Sequence, residues 1–251
     1  MELMGKKYYK ALESGSFRRI VSCVADSRIA QSQSDICKAY RDLKEKQVET
    51  YLKKAVDLGF IAKNGKKYER TKPSGFGSTF EWYVASVCVN ELASIAYWGV
   101  KVKEMEGDYD VVLIRENQIG YIECKSGKLQ NITKDHIKNF LYRESAISPH
   151  FSIFLADGVS RERLQKLVDY ALSTKNCYEF EVPEMMSTEI TLAKEDYKNF
   201  VRLVPINSFF VSGENSIQKV LQEIYRFLTT VTDRGLPMEN RAAKSKFVLN
   251  E

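Results

Sequence analysis

The chain has 251 residues, 44% hydrophobic and 28% charged, the composition of a soluble globular protein long enough for one large domain or two modest ones. Lys and Arg exceed Asp and Glu by 38 to 33, so the net charge of +5 permits a polyanionic partner without demanding one. No apolar run approaches the ~18 residues needed to span a bilayer, Met1-Glu-Leu-Met-Gly-Lys-Lys7 lacks the apolar core of a signal peptide, and a cytoplasmic protein is expected. The five scattered cysteines form no Cys-x-x-Cys pair and read as reduced thiols, while His136 and His150 alone give little for a Ser-His-Asp or Cys-His centre to rest on. No Gly-x-x-x-x-Gly-Lys-Ser/Thr loop occurs, so no nucleotide cofactor is expected.

The spacing of apolar residues predicts helices over 4–14 and over Ser16–Asp26, the second through Phe17, Ile20, Val21 and Val24. A third begins with Ser and Asp capping residues from Ser32 and runs to Tyr40. The fourth, Glu45–Leu58, carries Val48, Tyr51, Leu52, Ala55 and Leu58 on one stripe and stops at Gly59. A strand through Ile61, an Asn64-Gly65 turn and a returning strand follow. This order resembles a winged helix-turn-helix domain over residues 1–72. The resemblance implies that the helix before the wing enters the DNA major groove. Its exposed groups would be Lys46, Gln47, Thr50, Lys53 and Lys54, with Lys63, Lys66, Lys67 and Arg70 on the wing reaching phosphates. Winged helices also serve in dimerisation and protein docking, and lysine-rich faces are commonly just solvated, so those roles stay open.

Pro, Gly and Ser crowd Thr71–Thr79, which places a linker at 73–79. A helix follows over Phe80–Leu92, capped by Ser78 or Thr79, and Glu81 shares its face with Ala85, Cys88 and Leu92. A carboxylate on an apolar stripe needs a partner; a first-turn Glu is also favoured by the helix dipole alone. Tyr97–Met105 alternates as the first core strand. Asp110–Ile114, the Glu116-Asn117-Gln118 turn and Ile119–Cys124 then read as a hairpin. A turn centred between Glu116 and Asn117 sets Asp110 opposite Glu123, and the period of two puts Tyr121, Glu123 and Lys125 on one face. Two facing carboxylates repel unless a cation neutralises them. Oxygen ligands suit Mg²⁺ or Mn²⁺, and Lys125 would orient a water or stabilise charge on a phosphate. A solvated hairpin is the plainer alternative, because Glu-x-Lys is a common tripeptide.

Asp110-Val-Val, a short turn and Ile122-Glu-Cys-Lys125 resemble the PD-(D/E)xK motif of the restriction-endonuclease-like nucleases. The resemblance implies that Asp110 and Glu123 bind metal and that Lys125 assists catalysis; Tyr109 stands where the Pro of that motif would be. Phe80-Glu-Trp-Tyr-Val84 is similar to the family's first core helix, which adds Glu81 to a metal set completed by Asp110, Glu123 and Cys124. Within the superfamily the pattern looks most like the nuclease domain of CARF-linked CRISPR effectors. Asp108 is either a supporting ligand or a turn residue.

Beyond the hairpin, Lys128 lies in a basic loop and Thr133 can cap a helix to Ala146. Lys128, Lys134, Lys138 and Arg143 would lie at the mouth of the site, holding backbone phosphates or serving as surface charge. A strand at Phe151–Ala156 and a helix at Ser160–Ser173 imply parallel pairing within a mixed sheet. Cys177–Val182 reads as a strand, Leu192–Phe200 as a helix, Val201–Val211 as an edge strand because of Pro205, and Ser216–Val231 as an amphipathic helix. The polar segment 233–251 is either disordered or docks a partner subunit. The expectation is thus an α/β chain, with a winged helix at 1–72 and a restriction-endonuclease-like mixed β-sheet flanked by helices at 80–232. It would be a Mg²⁺- or Mn²⁺-dependent endonuclease on nucleic acid, DNA preferred, working as a homodimer in defence or mobile-element biology. Junction resolution or transposition would use the same chemistry on other substrates. The alternative is a DNA-binding regulator or assembly subunit on a catalytically inactive scaffold of the same kind.

Overall fold

Helical spacing of Phe17, Ile20, Val21 and Val24 becomes α2 (Gly15–Ala25), which follows α1 (Glu2–Leu12) and starts at Ser14, whose hydroxyl accepts the Phe17 N–H at 3.3 Å. The structure, a computed structural model, describes residues 2–71, 75–103, 107–126, 132–174, 193–204, 207–212 and 216–232. Ser32 and Asp35 cap α3 (Gln33–Ala39) reciprocally, which fixes its start. α4 (Glu45–Asp57) buries Val48, Leu52 and Ala55 and leaves Lys46, Gln47, Thr50, Lys53 and Lys54 exposed. Gly59, at φ +73, ends it. β2 (Ile61–Asn64) and β3 (Lys67–Arg70) form the expected hairpin, and a short strand that periodicity did not predict, β1 (Gln31–Ser32), pairs with the free edge of β3.

α5 (Gly77–Leu92) starts three residues earlier than expected and leads into a seven-stranded sheet. Its strands are β4 (Ile95–Lys101), β5 (Asp108–Arg115), β6 (Gln118–Lys125), β7 (Phe151–Ala156), β8 (Ala193–Asp196), β9 (Phe200–Val204) and β10 (Ser208–Ser212). They lie in the order β4-β5-β6-β7-β10-β9-β8. β6 pairs with β7 and β7 with β10 in parallel, as crossovers through α6 (Lys134–Ile147) and α7 (Arg161–Thr174) require; the other pairs are antiparallel. The chain is therefore mixed α/β, with a large mixed sheet flanked by helices. β7 and β10 are buried on both faces, the usual state of central parallel strands.

Two expectations are corrected. The stretch read as a helix over Leu192–Phe200 contains β8 and the start of β9, paired to each other. Its Ala, Lys and Glu are good helix formers, but local propensity is a weak prior that a ladder partner overrides. The single edge strand expected over Val201–Val211 is two antiparallel strands, and Pro205 falls between them in the sequence, so neither ladder has to do without an N–H. β10 is accordingly central, and β8 forms the edge. The strand expected at Cys177–Val182, the Lys128 loop, the first linker residues and the 233–251 tail lie outside the described residues.

One apolar cluster joins the N-terminal helices to the sheet. Leu12, Phe17, Ile20, Val48 and Leu52 belong to it together with Phe80 and Tyr83 of α5, Val111, Leu113 and Ile122 of the hairpin, and Leu221 and Ile224 of α8 (Ile217–Thr232). A second cluster on the opposite face packs Ile137, Phe140 and Val168 of α6 and α7 on Tyr109, Tyr121, Phe154 and Phe210. Among the described residues no helix is long and apolar enough to cross a membrane.

Candidate active site

Glu116 and Asn117 both take left-handed backbone angles, φ 49 and 62, the geometry of a two-residue hairpin turn. That turn sets the expected register: Arg115 pairs with Gln118 and Val111 with Ile122. One step further Asp110 stands across from Glu123, beyond the last regular pair. The Asp110 carboxylate there accepts the Cys124 backbone N–H at 2.7 Å, so a side chain takes over from the ladder. The strand turns at this point: Tyr109 joins the second cluster and Val111 the first, although residues two apart on a regular strand share a face.

The Lys125 ammonium lies 2.5 Å from Glu123 Oε1 and 3.8 Å from Asp110 Oδ2. Glu123 is only 2% exposed, and its other oxygen accepts from Arg143 of α6 at 3.2 Å and, in a short hydrogen bond, from the Tyr121 hydroxyl. Gly107, at φ +78, makes room for that arginine, because a Cβ there would strike the guanidinium. A Tyr109 hydroxyl bond to the Arg143 carbonyl, 3.4 Å long, ties α6 to the start of β5.

The electrostatics are unequal across this cluster. Burial, and then the Glu123 charge, push the Asp110 carboxyl up to about 7, against the smaller opposing pull of Lys125 and the Cys124 N–H. Burial pulls Lys125 down, but Glu123 and Asp110 outweigh it and the ammonium is held more firmly than usual. Tyr121 is raised by burial and by Glu123, which keeps it a donor. Glu81 is raised by burial, opposed by Lys125 and helped by Glu123 and Asp108, so its carboxylate lies within electrostatic reach of the cluster. His136, for which the sequence gives no catalytic role, is lowered by burial and by Lys125; its Nδ1 accepts the Thr133 N–H at 3.0 Å, which leaves Nε2 as the protonated nitrogen.

The structure thus brings Asp110, Glu123 and Lys125 together, with Glu81 at their margin. Cys124 reaches the group only through its backbone N–H: its thiol is buried in the first apolar cluster and raised by that burial. Among the described residues no three His, Cys, Asp or Glu side chains form a ligand cluster, so the donors to test against a metal are Asp110 and Glu123. Their carboxylate oxygens are the donor type that suits Mg²⁺ or Mn²⁺. Such ions commonly take one or two carboxylates and complete their shell with water, and a cation would relieve the burden that raises Asp110. Tyr121 and Arg143 are the site residues sequence reasoning left without this role. Tyr121 carried a signal, two positions before Glu123 on the same face; Arg143 was expected at the mouth of the site, but its bond to Glu123 depends on how α6 docks.

Elsewhere, Lys44, Lys46, Gln47, Thr50 and Tyr51 line an open concavity of about 410 Å³ on α4. Lys54 lies over the Phe17 ring, 5.3 Å from its centroid, and Lys66 and Lys67 are exposed at the β2–β3 turn. No family model matches the chain, and no curated protein does. Protein VC1899 from Vibrio cholerae is similar in structure over 92% of this chain, at 12% identity and a TM-score of 0.44. Can2 from Sulfobacillus thermosulfidooxidans, solved in complex with cyclic tetra-adenylate, is similar over 68% of this chain, at 15% identity and a TM-score of 0.44. The chain spans about half the length of these two proteins, 55% and 49%.

Proposed function

We propose that the protein is a metal-dependent phosphodiesterase of the PD-(D/E)xK kind that cleaves nucleic acid, with DNA as the preferred substrate. The observation that carries this reading is the meeting of Asp110, Glu123 and Lys125 at the end of the β5–β6 ladder. Asp110 and Glu123 would hold Mg²⁺ or Mn²⁺, which when bound supplies positive charge to a phosphoryl oxygen and lowers the pKa of water. Tyr121 and Arg143 hold one oxygen of Glu123, and the other, Oε1, faces Lys125. Lys125, held between the two carboxylates, orients the attacking water or stabilises charge on the scissile phosphate. Glu81 adds a further carboxylate at the margin.

The exposed polar face of α4 and the Asn64-Gly65 hairpin support nucleic-acid contact by a winged-helix unit, through Lys46, Gln47, Thr50 and Lys53 to phosphates. The same face supports the second reading, a DNA-binding regulator or assembly subunit that does not cut. Incubation with supercoiled plasmid, single-stranded DNA and RNA across Mg²⁺ and Mn²⁺, beside Glu123→Ala and Lys125→Ala, separates the two. Metal-dependent cleavage by the wild type alone supports the nuclease. Site-specific binding without nicking, unchanged in Glu123→Ala, leaves the regulator.

A further inference from the structure

The N-terminal helices are tied to the candidate site by two links, both from α2, one buried and one at an exposed aspartate. At one end, Arg18 donates to both oxygens of Asp157, Nε to Oδ2 at 2.8 Å and Nη2 to Oδ1 at 2.9 Å, with the two side chains 1% and 5% exposed. Asp157 directly follows β7, and its own N–H donates to the Lys125 carbonyl at 2.8 Å. Lys125 is the last residue of β6 and pairs with Ala156. From the guanidinium of α2 to the backbone of the candidate catalytic lysine there is one residue. The remaining Arg18 donor group is used as well: Nη1 reaches the carbonyls of Leu12 at 2.6 Å and Glu13 at 3.2 Å, locking the α1–α2 turn to the same point.

At the other end of α2, Asp26 caps the helix. Its Oδ1 accepts the Phe76 N–H at 2.8 Å and its Oδ2 accepts the Ser22 hydroxyl at 2.6 Å. Phe76 is the N-cap residue of α5, the helix that carries Glu81. Gly75 has φ +70, and a Cβ on it would stand 2.6 Å from Asp26 Oδ1, so the position favours glycine. Arg18 also lies over the Tyr83 ring of α5, 5.6 Å from its centroid.

We propose that α2 is a positioning element of the candidate site: Arg18, through Asp157, sets the strand end that presents Lys125, and Asp26, through Phe76, sets the helix start that presents Glu81. The proposal rests on the nuclease reading for its catalytic consequence and on geometry alone for the brace. Neither Arg18 nor Asp26 touches substrate. Arg18 acts through Asp157 on the backbone of Lys125, and Asp26 acts through Phe76 on the start of the helix that carries Glu81; a reacting group displaced by about 1 Å can lose roughly 100-fold in rate. A ligand or DNA seated on the N-terminal helices would act on the site through the same two links.

The test uses the full chain. Arg18→Met alone leaves a buried carboxylate unpaired and can unfold the protein, so the informative variant is Arg18→Met/Asp157→Leu, an apolar pair that keeps the packing and removes the link. Asp26→Ala cuts the second link, and Ile36→Ala in α3 serves as a destabilised control. Amide hydrogen exchange should quicken at position 157 in the first variant and at Phe76 in the second, but at neither in the control. Metal-dependent cleavage should lose about 10- to 100-fold in kcat with KM little changed in Arg18→Met/Asp157→Leu, while the control keeps its kcat. Unchanged kcat in that variant overturns the proposal, whatever the exchange rates. If the wild type cleaves nothing, the nuclease reading has failed and exchange alone decides: faster exchange at position 157 and at Phe76 supports the brace, and unchanged exchange removes it.

Discussion

Two buried charge groups flank the end of β6, and they are built on opposite rules. Arg18 and Asp157 form a closed pair, one cation on one anion, bidentate, with the remaining guanidinium donor group satisfied by carbonyls. In the cluster around Glu123 that one carboxylate takes both cations, Lys125 and Arg143, and Asp110 is left 3.8 Å from the ammonium. The first arrangement has no room for another ion. In the second, Asp110 is pushed up to about 7 by burial and by its neighbour, the mark of a site that would gain from further positive charge. The lesson is that burial of charge alone does not identify a working site; a mostly buried carboxylate without a close cation of its own, as Asp110 is here, is the more telling feature.

The largest expected effect tests the closed pair. Arg18→Met should destabilise the fold by about 3–5 kcal/mol, because it strands the Asp157 carboxylate, and Arg18→Met/Asp157→Leu should recover most of that loss. Denaturant unfolding measures both, and a double variant no more stable than the single one would mean that the pair is needed for more than mutual neutralisation.

The imbalanced cluster should show itself as a pH dependence. Asp110 keeps its proton in the folded chain up to about 7, whereas its ordinary value is 3.8, so over that interval the folded state binds more protons than the unfolded one. A raised folded pKa contributes stability at low pH that is lost as pH rises from about 4 to about 7, an effect on the order of a few kcal/mol. In the metal-free protein the urea midpoint should therefore be less favourable at pH 8 than at pH 5 by more in the wild type than in Asp110→Asn. Parallel pH profiles for the two proteins would remove the electrostatic description of the site.

Smaller changes sharpen the contrast between a braced region and a solvated one. Gly75→Ala should cost about 1–3 kcal/mol, since its φ of +70 disfavours a side chain and the Cβ meets Asp26 Oδ1; thermal unfolding indistinguishable from wild type would show that the segment yields freely. Lys46→Ala/Lys53→Ala, on the exposed face of α4, should leave stability unchanged. It should weaken DNA binding uniformly across sequences and reduce the slope of log affinity against log salt by roughly one for each phosphate no longer neutralised. An unaltered slope would assign that face to another partner.

Much of the site was legible because it is local. The Glu116-Asn117 turn, the period of two and the β-branched run at Asp110–Ile114 together fixed the register that sets Asp110 across from Glu123, and the hairpin keeps it. Glu81 was legible as a carboxylate on an apolar helical stripe. What escaped depends on contacts distant in sequence. Arg143 reaches Glu123 only once α6 has docked on the sheet, and Arg18 finds Asp157 across 139 positions. The region after α7 was misread for the related reason that short strands such as β8 take their structure from a partner rather than from their own residues. Gly75 and Gly107 were visible as glycines, but the side chains that require them, Asp26 and Arg143, were not.

The most direct test of the nuclease reading is the initial rate of plasmid cleavage against Mg²⁺ concentration for the wild type and Glu123→Gln. The substitution keeps the shape of the side chain and removes the charge that Lys125 and Arg143 hold in place. The expected result is saturable, Mg²⁺-dependent cleavage by the wild type and a loss of about 100-fold or more in the variant, with both proteins folded. Cleavage at the same rate by both would contradict the assignment of Glu123 and return the site to a structural role.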